Sequence, residues 1–178
     1  MNMPTTPVSA MTTTIPTMAT DGIRQLGPGD LALFRDLNRL FGEAFEDPDT
    51  YGGAPPDDDW LRGLLAGDQV IALVAVDGDR VTSGLVAYDL PKFEMARREI
   101  YIYDLAVAAA HRRQGIATRL IRALCRIARD RGAWVVYVQA DPPDAPAVAL
   151  YDKLGRREEV VHFDIMPDQA ASSTQTGT

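Results

Sequence analysis

The sequence has few of the residues that disulfide frameworks and metal sites require. Its 178 residues include one cysteine, Cys125, and two histidines, His111 and His162. A single cysteine cannot form an intramolecular disulfide, and two distant histidines without cysteine partners are a poor basis for a metal cluster. We therefore expect a site without a metal ion, in a protein of a reducing compartment.

Basic residues and long apolar runs are also scarce. Lys and Arg together number 18 against 25 Asp and Glu, which gives a net charge of −7. Binding to nucleic acid needs a basic face, so this balance argues against a nucleic-acid partner and suits a cationic small molecule, although acidity also serves solubility. The first twenty residues contain no Lys or Arg and no sustained apolar stretch, unlike a signal peptide, and no later run could span a bilayer. We expect a cytoplasmic protein without a membrane partner.

The overall composition is that of one globular domain with two tails. Hydrophobic residues make up 46% and charged residues 24% of the chain. Residues 1–20 are rich in Thr, Pro and Met, and residues 168–178 are small and polar, so neither segment can bury much apolar surface. We predict disordered tails at both ends and a single domain over residues 21–167.

The first half of the domain predicts one strand followed by helices. Residues 23–26 form a short β-rich run, and Asp30 then stands where a helix cap is expected before apolar residues at helical spacing up to residue 45. Residues 44–59 are rich in Pro, Gly and Asp, which predicts an exposed loop. A second short helix is expected at residues 60–65.

The middle of the chain predicts an antiparallel meander. The runs at residues 70–76 and 81–90 are separated by the sequence DGDR, whose Asp-Gly pair is a strong hairpin-turn signal. Residues 99–107, EIYIYDLAV, form the third strong strand.

The second half alternates between helix and strand periodicity, which implies at least one βαβ crossover with parallel pairing. The fold class is therefore α/β, or α+β, with a mixed, mostly antiparallel twisted sheet and helices on both faces. The predicted elements are a helix at 115–131, a strand at 134–139, a helix at 146–154 and a strand at 160–165.

The junction between the third strand and the long helix has the residues of a phosphate site. Residues 112–117, RRQGIA, place Gly115 and Ala117 where backbone N–H groups and the positive end of a helix dipole meet. Gly115 permits close approach of a ligand, and small Ala117 leaves room beside it. The alternative is an ordinary helix start with solvated arginines. Neither a Walker phosphate loop nor a dinucleotide fingerprint is present.

These residues resemble the [Q/R]-x-x-G-x-[G/A] signature that binds the pyrophosphate of coenzyme A in the GNAT superfamily of N-acetyltransferases. The resemblance implies a GNAT-like fold, acetyl-CoA as cosubstrate, and pantetheine binding along the preceding strand. The coenzyme-binding residues that it implies are Leu105, Ala106, Val107, Arg112, Arg113, Gln114, Gly115, Ile116, Ala117 and Thr118.

A second GNAT element, A-x-x-L-Y-x-x-x-G-F, is similar to the sequence around Tyr151. Ala147, Leu150, Tyr151 and Gly155 match it in order, while Arg156 stands where the family usually has an aromatic residue. The resemblance implies that Tyr151 lies near the coenzyme sulfur and protonates the departing thiolate. The alternative is an aromatic residue that packs in the core.

Longer strings resemble one group within that superfamily, the type I aminoglycoside 3-N-acetyltransferases. They imply acetyl transfer to the 3-amino group of a 2-deoxystreptamine ring in a direct ternary complex, an association with antibiotic resistance, and a homodimer. The strings are LPKFEMARREIYIYDLAVAAAHRRQGIATRLI, VVYVQADPPDAPAVALYDKLG and REEVVHFDI.

An attacking amine must lose a proton, so a carboxylate near the acceptor is the natural general base. Asp104 is the first candidate, because it interrupts an apolar strand just before the implied coenzyme-binding residues. Burial would raise its pKa, and a cationic substrate would lower it. The alternative is a structural carboxylate hydrogen-bonded to backbone.

A polyamine acceptor needs several partners for its ammonium groups. Other carboxylates, including Glu158, Glu159 and the acidic residues 57–59, are more often solvated surface. The residues that we predict to bind the acceptor are Glu99, Tyr103, Asp141, Asp144 and Asp164.

Three other functions stay open or are disfavoured. A GNAT enzyme acting on a polyamine, amino acid or protein lysine would use the same coenzyme site, and a non-catalytic coenzyme-binding module would not need Asp104 beside Tyr151. A Ser-His-Asp hydrolase is disfavoured, since no G-x-S-x-G motif exists. Cys125 is expected in the core of the long helix, not as a nucleophile.

Overall fold

The computed structural model describes residues 22–167, so both predicted tails lie outside the described residues. The chain divides into two compact units, one up to Gln139 and one from Ala140 onward. The expectation of a single domain over residues 21–167 stays a prediction.

The first unit contains a five-stranded sheet in the order β1-β2-β3-β4-β5. Neighbouring strands from β1 to β4 are antiparallel, and β4 and β5 are parallel. The parallel pair is joined through a helix, so the predicted βαβ crossover and the mixed, mostly antiparallel sheet are confirmed. The strands are β1 Ile23–Gln25, β2 Val70–Asp77, β3 Arg80–Pro91, β4 Arg98–Val107 and β5 Ala133–Val138.

The helices of this unit occur where their periodicity predicts them, with one exception. A short helix, α2, lies inside the segment predicted as an exposed loop at residues 44–59. The side chain of Asp30 also differs from expectation: it accepts from the backbone N–H of Gly27 at 2.8 Å and pairs with Arg24, and it does not cap a helix N–H. The helices are α1 Leu31–Ala44, α2 Pro48–Gly52, α3 Asp58–Ala66 and α4 Ile116–Asp130, with a 3-10 turn at Ala109–His111.

Helices cover both faces of the sheet. Alternate residues of β2, such as Ala72 and Val74, are buried with Phe41 of α1 and Leu61 of α3. The residues between them, such as Leu73, face the opposite side of the sheet and are equally buried, beneath α4. Consecutive burial along β2 therefore explains its uninterrupted apolar sequence.

Glycine at position 84 allows α1 to approach β3 closely. A Cβ atom there would lie 2.2 Å from Cδ1 of Leu37 and 3.0 Å from the backbone oxygen of Leu73. Leu37 is completely buried, which contributes about 1.5–3 kcal/mol of hydrophobic stabilisation. Gly84 thus fixes how α1 lies on the sheet.

A buried carboxylate links β3, β4 and the end of α4. The side chain of Asp89 has no exposed surface; its Oδ1 lies 2.8 Å from Nε of Arg98 and its Oδ2 3.0 Å from an Nη of Arg131. Burial makes each lost partner costly, because the remaining charge cannot be solvated. We infer that this cluster fixes the register between β3 and β4 at this point and connects both strands to the end of α4.

The second unit contains helix α5, Ala145–Tyr151, in agreement with the predicted helix at 146–154. The predicted strand at residues 160–165 is wrong: residues 156–166 have no regular secondary structure. Val161, Phe163 and Ile165 are 77–83% exposed, and no described strand pairs with the segment. Strand preference depends on neighbours that cover the side chains, which this segment lacks in the described chain.

Cys125 is exposed on α4, so the expectation of a core cysteine is wrong. It lies at the edge of the apolar stripe, one residue after the fully buried Leu124.

Within residues 22–167, no helix combines the length and apolar character needed to cross a membrane.

Candidate functional site

β4 and β5 separate halfway along β4. Their pairing extends from Arg98 to Ile102, whereas β3 continues to pair with β4 as far as Val107. Beyond Ile102, the edge of β4 that faces β5 has no partner strand in the described sheet. Unpaired backbone N–H and C=O groups on such an edge bind an extended ligand as an added strand would. The predicted pantetheine-binding residues Leu105 and Ala106 lie on this open stretch.

A β-bulge marks the point of separation. Val86 lies opposite Asp104 and Ala87 opposite Ile102, so Tyr103 is the extra residue of β4 without a partner. A bulge bends the strand and redirects its side chains. It places Tyr103 and Asp104 side by side where the open edge begins.

Asp104 is half-buried, and its described hydrogen-bond partner is a phenol. The hydroxyl of Tyr51 donates to Oδ1 of Asp104 over 2.9 Å. Burial raises the pKa of the Asp104 carboxyl, and the hydrogen bond from Tyr51 lowers it. Burial, followed by the charge of Asp104, raises the pKa of Tyr51, so this phenol remains a donor at neutral pH.

Tyr51 is a candidate site residue that the sequence analysis missed. It lies on α2, which begins with Pro48 at its first position and with Asp47 as N-cap, whose side chain accepts from the N–H of Thr50 at 3.1 Å. An Asp cap before Pro at the first position is a helix-start signal that is readable from sequence. The many Pro, Gly and Asp residues around this signal indicated an exposed loop instead, so α2 was not predicted.

The ring of Tyr51 is held by the end of α1. Its centroid lies 5.8 Å from that of Phe41 and 5.7 Å from that of Phe45. Gly42 permits the close packing, since a Cβ there would lie 3.3 Å from Cβ of Tyr51 and 3.4 Å from Cα of Pro48. The aromatic contacts therefore determine where the hydroxyl meets Asp104.

Four tyrosines, which we call the tyrosine row, cross β3, β4 and β5 near Asp104. Tyr88 contacts Tyr103 edge-on at 5.5 Å, Tyr103 contacts Tyr101 edge-on at 5.9 Å, and Tyr101 stacks on Tyr137 at 5.0 Å. The hydroxyl of Tyr101 hydrogen-bonds to Oε1 of Gln139 at 3.1 Å. Burial raises the pKa of Tyr88 and of Tyr101, so both phenols are neutral.

The predicted phosphate loop lies between β4 and α4, as its sequence suggests. Arg113 has φ +64° and Gly115 φ +74°, so two left-handed residues direct the backbone into α4. Gly115 is the N-cap of α4, and no side chain caps the helix. The first N–H groups of α4, at Ile116, Ala117 and Thr118, accordingly have no partner within the helix.

Side-chain bonds fix the shape of this loop. Nε of Arg112 donates to the carbonyl of Val107 at 3.0 Å, and an Nη of Arg119 donates to the carbonyl of Gln114 at 3.0 Å. The amide of Gln114 reaches the carbonyl of Ala110 at 3.5 Å. Arg112 thus holds the strand end against the loop, while Arg113 is exposed.

Of the predicted acceptor-binding residues in the first unit, Tyr103 lies beside Asp104 and is 60% exposed. Glu99 lies on the same strand, but its carboxylate is 3.6 Å from Nζ of Lys92 and 3.4 Å from an Nη of Arg97. These cations neutralise Glu99, which is therefore a weaker ammonium ligand than the sequence suggests.

The remaining predicted residues belong to the second unit. Asp144 is the N-cap of α5 and accepts from the N–H of Ala147 at 3.1 Å, so it has a structural task. Asp141 is exposed, and Asp164 pairs with His162 at 3.0 Å. Tyr151 ends α5; burial, then the charge of Asp144, raises the pKa of its phenol, which keeps it protonated at neutral pH.

The described residues contain no group of three or more His, Cys, Asp or Glu side chains placed to hold a metal ion.

One cavity lies apart from this site. A cavity of about 280 Å³ lies between α1, the β2–β3 turn and the segment after β4, with Asp36, Thr82 and His111 in its wall. Neither Asp104 nor Tyr51 lines it, and the chemistry of Asp104 makes the open edge of β4 the better candidate.

Comparison with known proteins agrees with this geometry. The chain is 54% identical to an aminoglycoside acetyltransferase from an uncultured soil metagenomic sample, with a TM-score of 0.79 over 81% of this chain and 96% of that one. A second aminoglycoside acetyltransferase from a soil metagenomic sample, solved in complex with sisomicin, is 34% identical, with a TM-score of 0.74 over 81% of this chain and 94% of that one.

Curated relatives match over a shorter stretch. Streptothricin acetyltransferase from Streptomyces lavendulae is 29% identical over 58% of this chain and 52% of its own length. The chain spans about half the length of the curated relatives it matches. The sequence profile of the Acetyltransferase (GNAT) family matches residues 32–155. These matches and the mixed sheet with its open β4 edge show that the chain belongs to the GNAT family of acetyltransferases, which use acetyl-CoA.

Proposed function

We propose that this chain transfers the acetyl group of acetyl-CoA to the 3-amino group of the 2-deoxystreptamine ring of an aminoglycoside, within a ternary complex. The observation that carries the proposal is Asp104, a half-buried carboxylate held by Tyr51 where the edge of β4 opens. The similarity to two aminoglycoside acetyltransferases supports the choice of acceptor.

The residues present fit the coenzyme that the family uses. The free N–H groups of Ile116, Ala117 and Thr118 at the start of α4 suit a pyrophosphate, and Gly115 has no side chain to keep it away. The backbone N–H and C=O of Leu105 and the N–H of Val107, which point away from β3 towards the open edge, suit the amides of a pantetheine arm. When bound, acetyl-CoA supplies the acetyl thioester that the amine attacks.

Asp104 is the proposed general base. An aminoglycoside amine is an ammonium ion at neutral pH, and it becomes a nucleophile only after losing a proton. Burial raises the pKa of Asp104, which makes the carboxylate a better proton acceptor, while the hydrogen bond from Tyr51 keeps it ionised. The two effects oppose each other and together set the pKa at which Asp104 accepts the proton of the amine.

Tyr151 is the proposed proton donor to the coenzyme thiolate. Its raised pKa means that the phenol carries a proton at neutral pH and so has one available for the sulfur as the carbon–sulfur bond of the thioester breaks. Direct transfer needs no cysteine nucleophile. Although Cys125 is exposed, partial burial of its thiol at the edge of the apolar stripe raises the thiol pKa, which disfavours the reactive thiolate.

A second acceptor class remains the alternative. The match to streptothricin acetyltransferase, although partial, favours a GNAT enzyme that acetylates another amine with the same Asp104 and the same coenzyme site. Homodimer formation and a cytoplasmic location remain predictions of this proposal.

The test is release of free thiol from acetyl-CoA in the presence of gentamicin. The wild-type protein should bind coenzyme A and release thiol with gentamicin, and Asp104→Asn should bind coenzyme A equally well but turn over at least a hundredfold more slowly. Coenzyme binding without turnover of gentamicin would contradict the acceptor. Absence of coenzyme binding would contradict the whole proposal.

A further inference from the structure

We propose that the tyrosine row is a binding track for the amino-sugar rings of the acceptor, and that it selects polycationic acceptors with several rings over single-ring amines. This inference rests on the proposed function and names the residues that recognise its substrate.

Sheet register places the row on the face that carries Asp104. Tyr88 lies opposite Tyr101 in the β3–β4 pairing, and Tyr101 lies opposite Tyr137 in the β4–β5 pairing. Directly opposite residues project to the same face of a sheet. Val86, which lies opposite Asp104, is two residues before Tyr88 and so shares this face.

The row has the length of an oligosaccharide segment. It crosses from β3 to β5, two strand spacings, which amounts to about 10 Å. Tyr103 lies next to Asp104 in sequence, at the bulge, and Tyr137 marks the far end. An amine bound at Asp104 would therefore leave the neighbouring rings of its own molecule over Tyr101 and Tyr137.

The chemistry of the row suits cationic sugars. The aromatic faces attract ammonium groups through the ring quadrupole and pack against the C–H faces of pyranoses. The phenol oxygens also accept hydrogen bonds from ammonium and hydroxyl groups. Tyr103 is 60% exposed, and Tyr88 and Tyr137 are each 37% exposed, so these rings retain surface for a ligand.

Electrostatics favours the same ligand. Among the described ion pairs none involves Asp104, so a half-buried negative charge at one end of the row lacks a cation. Glu99, the other carboxylate nearby on β4, is neutralised by Lys92 and Arg97. Along the row, recognition of the distal ammonium groups accordingly falls to the tyrosine rings and not to Glu99.

The test compares sisomicin with isolated 2-deoxystreptamine as acceptors. In Tyr137→Ala, the ratio of kcat/KM for sisomicin to kcat/KM for 2-deoxystreptamine should fall about tenfold, because only the larger acceptor reaches the end of the row. Tyr137→Phe, which keeps the ring, should stay within about twofold of the wild type. Trp60→Ala, which removes an exposed aromatic ring from α3, is the matched control and should leave the ratio unchanged.

Equilibrium binding of sisomicin, measured by calorimetry without acetyl-CoA, separates this inference from the proposed function. If sisomicin binds, and binds about tenfold more weakly to Tyr137→Ala, the track stands even where no acetyl transfer is detected. Failure of wild-type protein to bind sisomicin, or equal binding by wild type and Tyr137→Ala, overturns the track. Should Tyr137→Ala fail to fold, Tyr137→Leu, which removes the aromatic ring but keeps an apolar side chain on β5, tests the same prediction with the same outcomes.

Discussion

The hydroxyl of Tyr51, on α2, donates a hydrogen bond of 2.9 Å to Oδ1 of Asp104 at the bulge of β4. Tyr51 and Asp104 are 53 positions apart in the sequence. The ring of Tyr51 is held in place by its contacts with the rings of Phe41 and Phe45. We infer that Tyr51 positions Asp104 and sets the pH range in which its carboxylate accepts a proton.

The pH dependence of Tyr51→Phe tests this role. The hydrogen bond lowers the pKa of Asp104, so its loss raises that pKa, and the carboxylate then protonates at higher pH. The acidic limb of the kcat/KM profile should therefore move to higher pH. Activity on that limb should fall about tenfold, because a tenfold change corresponds to the free energy of one hydrogen bond to a charged group. A profile that superimposes on the wild type would exclude the positioning role. Asp104→Asn, which should be slow at every pH, is the reference.

Gly42→Ala should disturb the same bond from outside the site. A Cβ at position 42 would lie 3.3 Å from Cβ of Tyr51, so α2 must shift by a few tenths of an ångström. We expect the acidic limb to move in the same direction as in Tyr51→Phe, but less. Gly63→Ala on α3 is the matched control, because its new Cβ meets no atom within 4 Å. Equal pH profiles for both alanine variants would show that α1 does not set the position of Tyr51.

Gly115→Ala should weaken coenzyme binding. Gly115 has φ +74°, a conformation that costs an alanine about 1–2 kcal/mol, and it caps the helix end that presents the free N–H groups. Isothermal titration should show a loss of about tenfold in affinity for coenzyme A. Gly132→Ala carries the same strain, with φ +70°, just beyond the opposite end of α4, and should retain wild-type affinity. If the two variants bound coenzyme equally, the N-terminus of α4 would not be the phosphate site.

Asp89→Asn should destabilise the first unit. The substitution leaves Arg98 and Arg131 beside a neutral, fully buried group, and breaking a buried ion pair costs about 3–5 kcal/mol. Urea unfolding monitored by circular dichroism measures the change. Asp79→Asn, at an exposed position in the β2–β3 turn, should change the free energy of unfolding by less than about 0.5 kcal/mol. Similar stabilities for the two variants would mean that the buried cluster has no net role.

Most of the first unit was predictable because its signals are local. The Asp-Gly turn between β2 and β3, the apolar spacing of α1 and α4, and the Gly115 helix start each depend on residues close in sequence. Asp104 was found in the same way, as a charge inside an apolar strand. The structure places Asp104 where the open edge of β4 begins, and its role as base stays a prediction that the experiments above test.

The contacts that were missed depend on residues distant in sequence. Tyr51 meets Asp104 only after α1 folds onto the sheet, and the tyrosine row exists only once three strands are in register. Lys92 and Arg97 are close to Glu99 in sequence, but their ion pairs with it require the β3–β4 hairpin that brings these side chains together. The strand predicted at residues 160–165 was wrong because alternation indicates a strand without showing whether a partner strand covers it.

The position of the acetyl group on the product tests the proposed reaction most directly. Wild-type protein should be incubated with acetyl-CoA and gentamicin, and the purified product examined by two-dimensional NMR. We predict one added acetyl group, on the 3-amino nitrogen of the 2-deoxystreptamine ring, and no such product with Asp104→Asn. Acetylation of another nitrogen, or an unmodified antibiotic in the presence of a protein that binds coenzyme A, would contradict the proposed specificity.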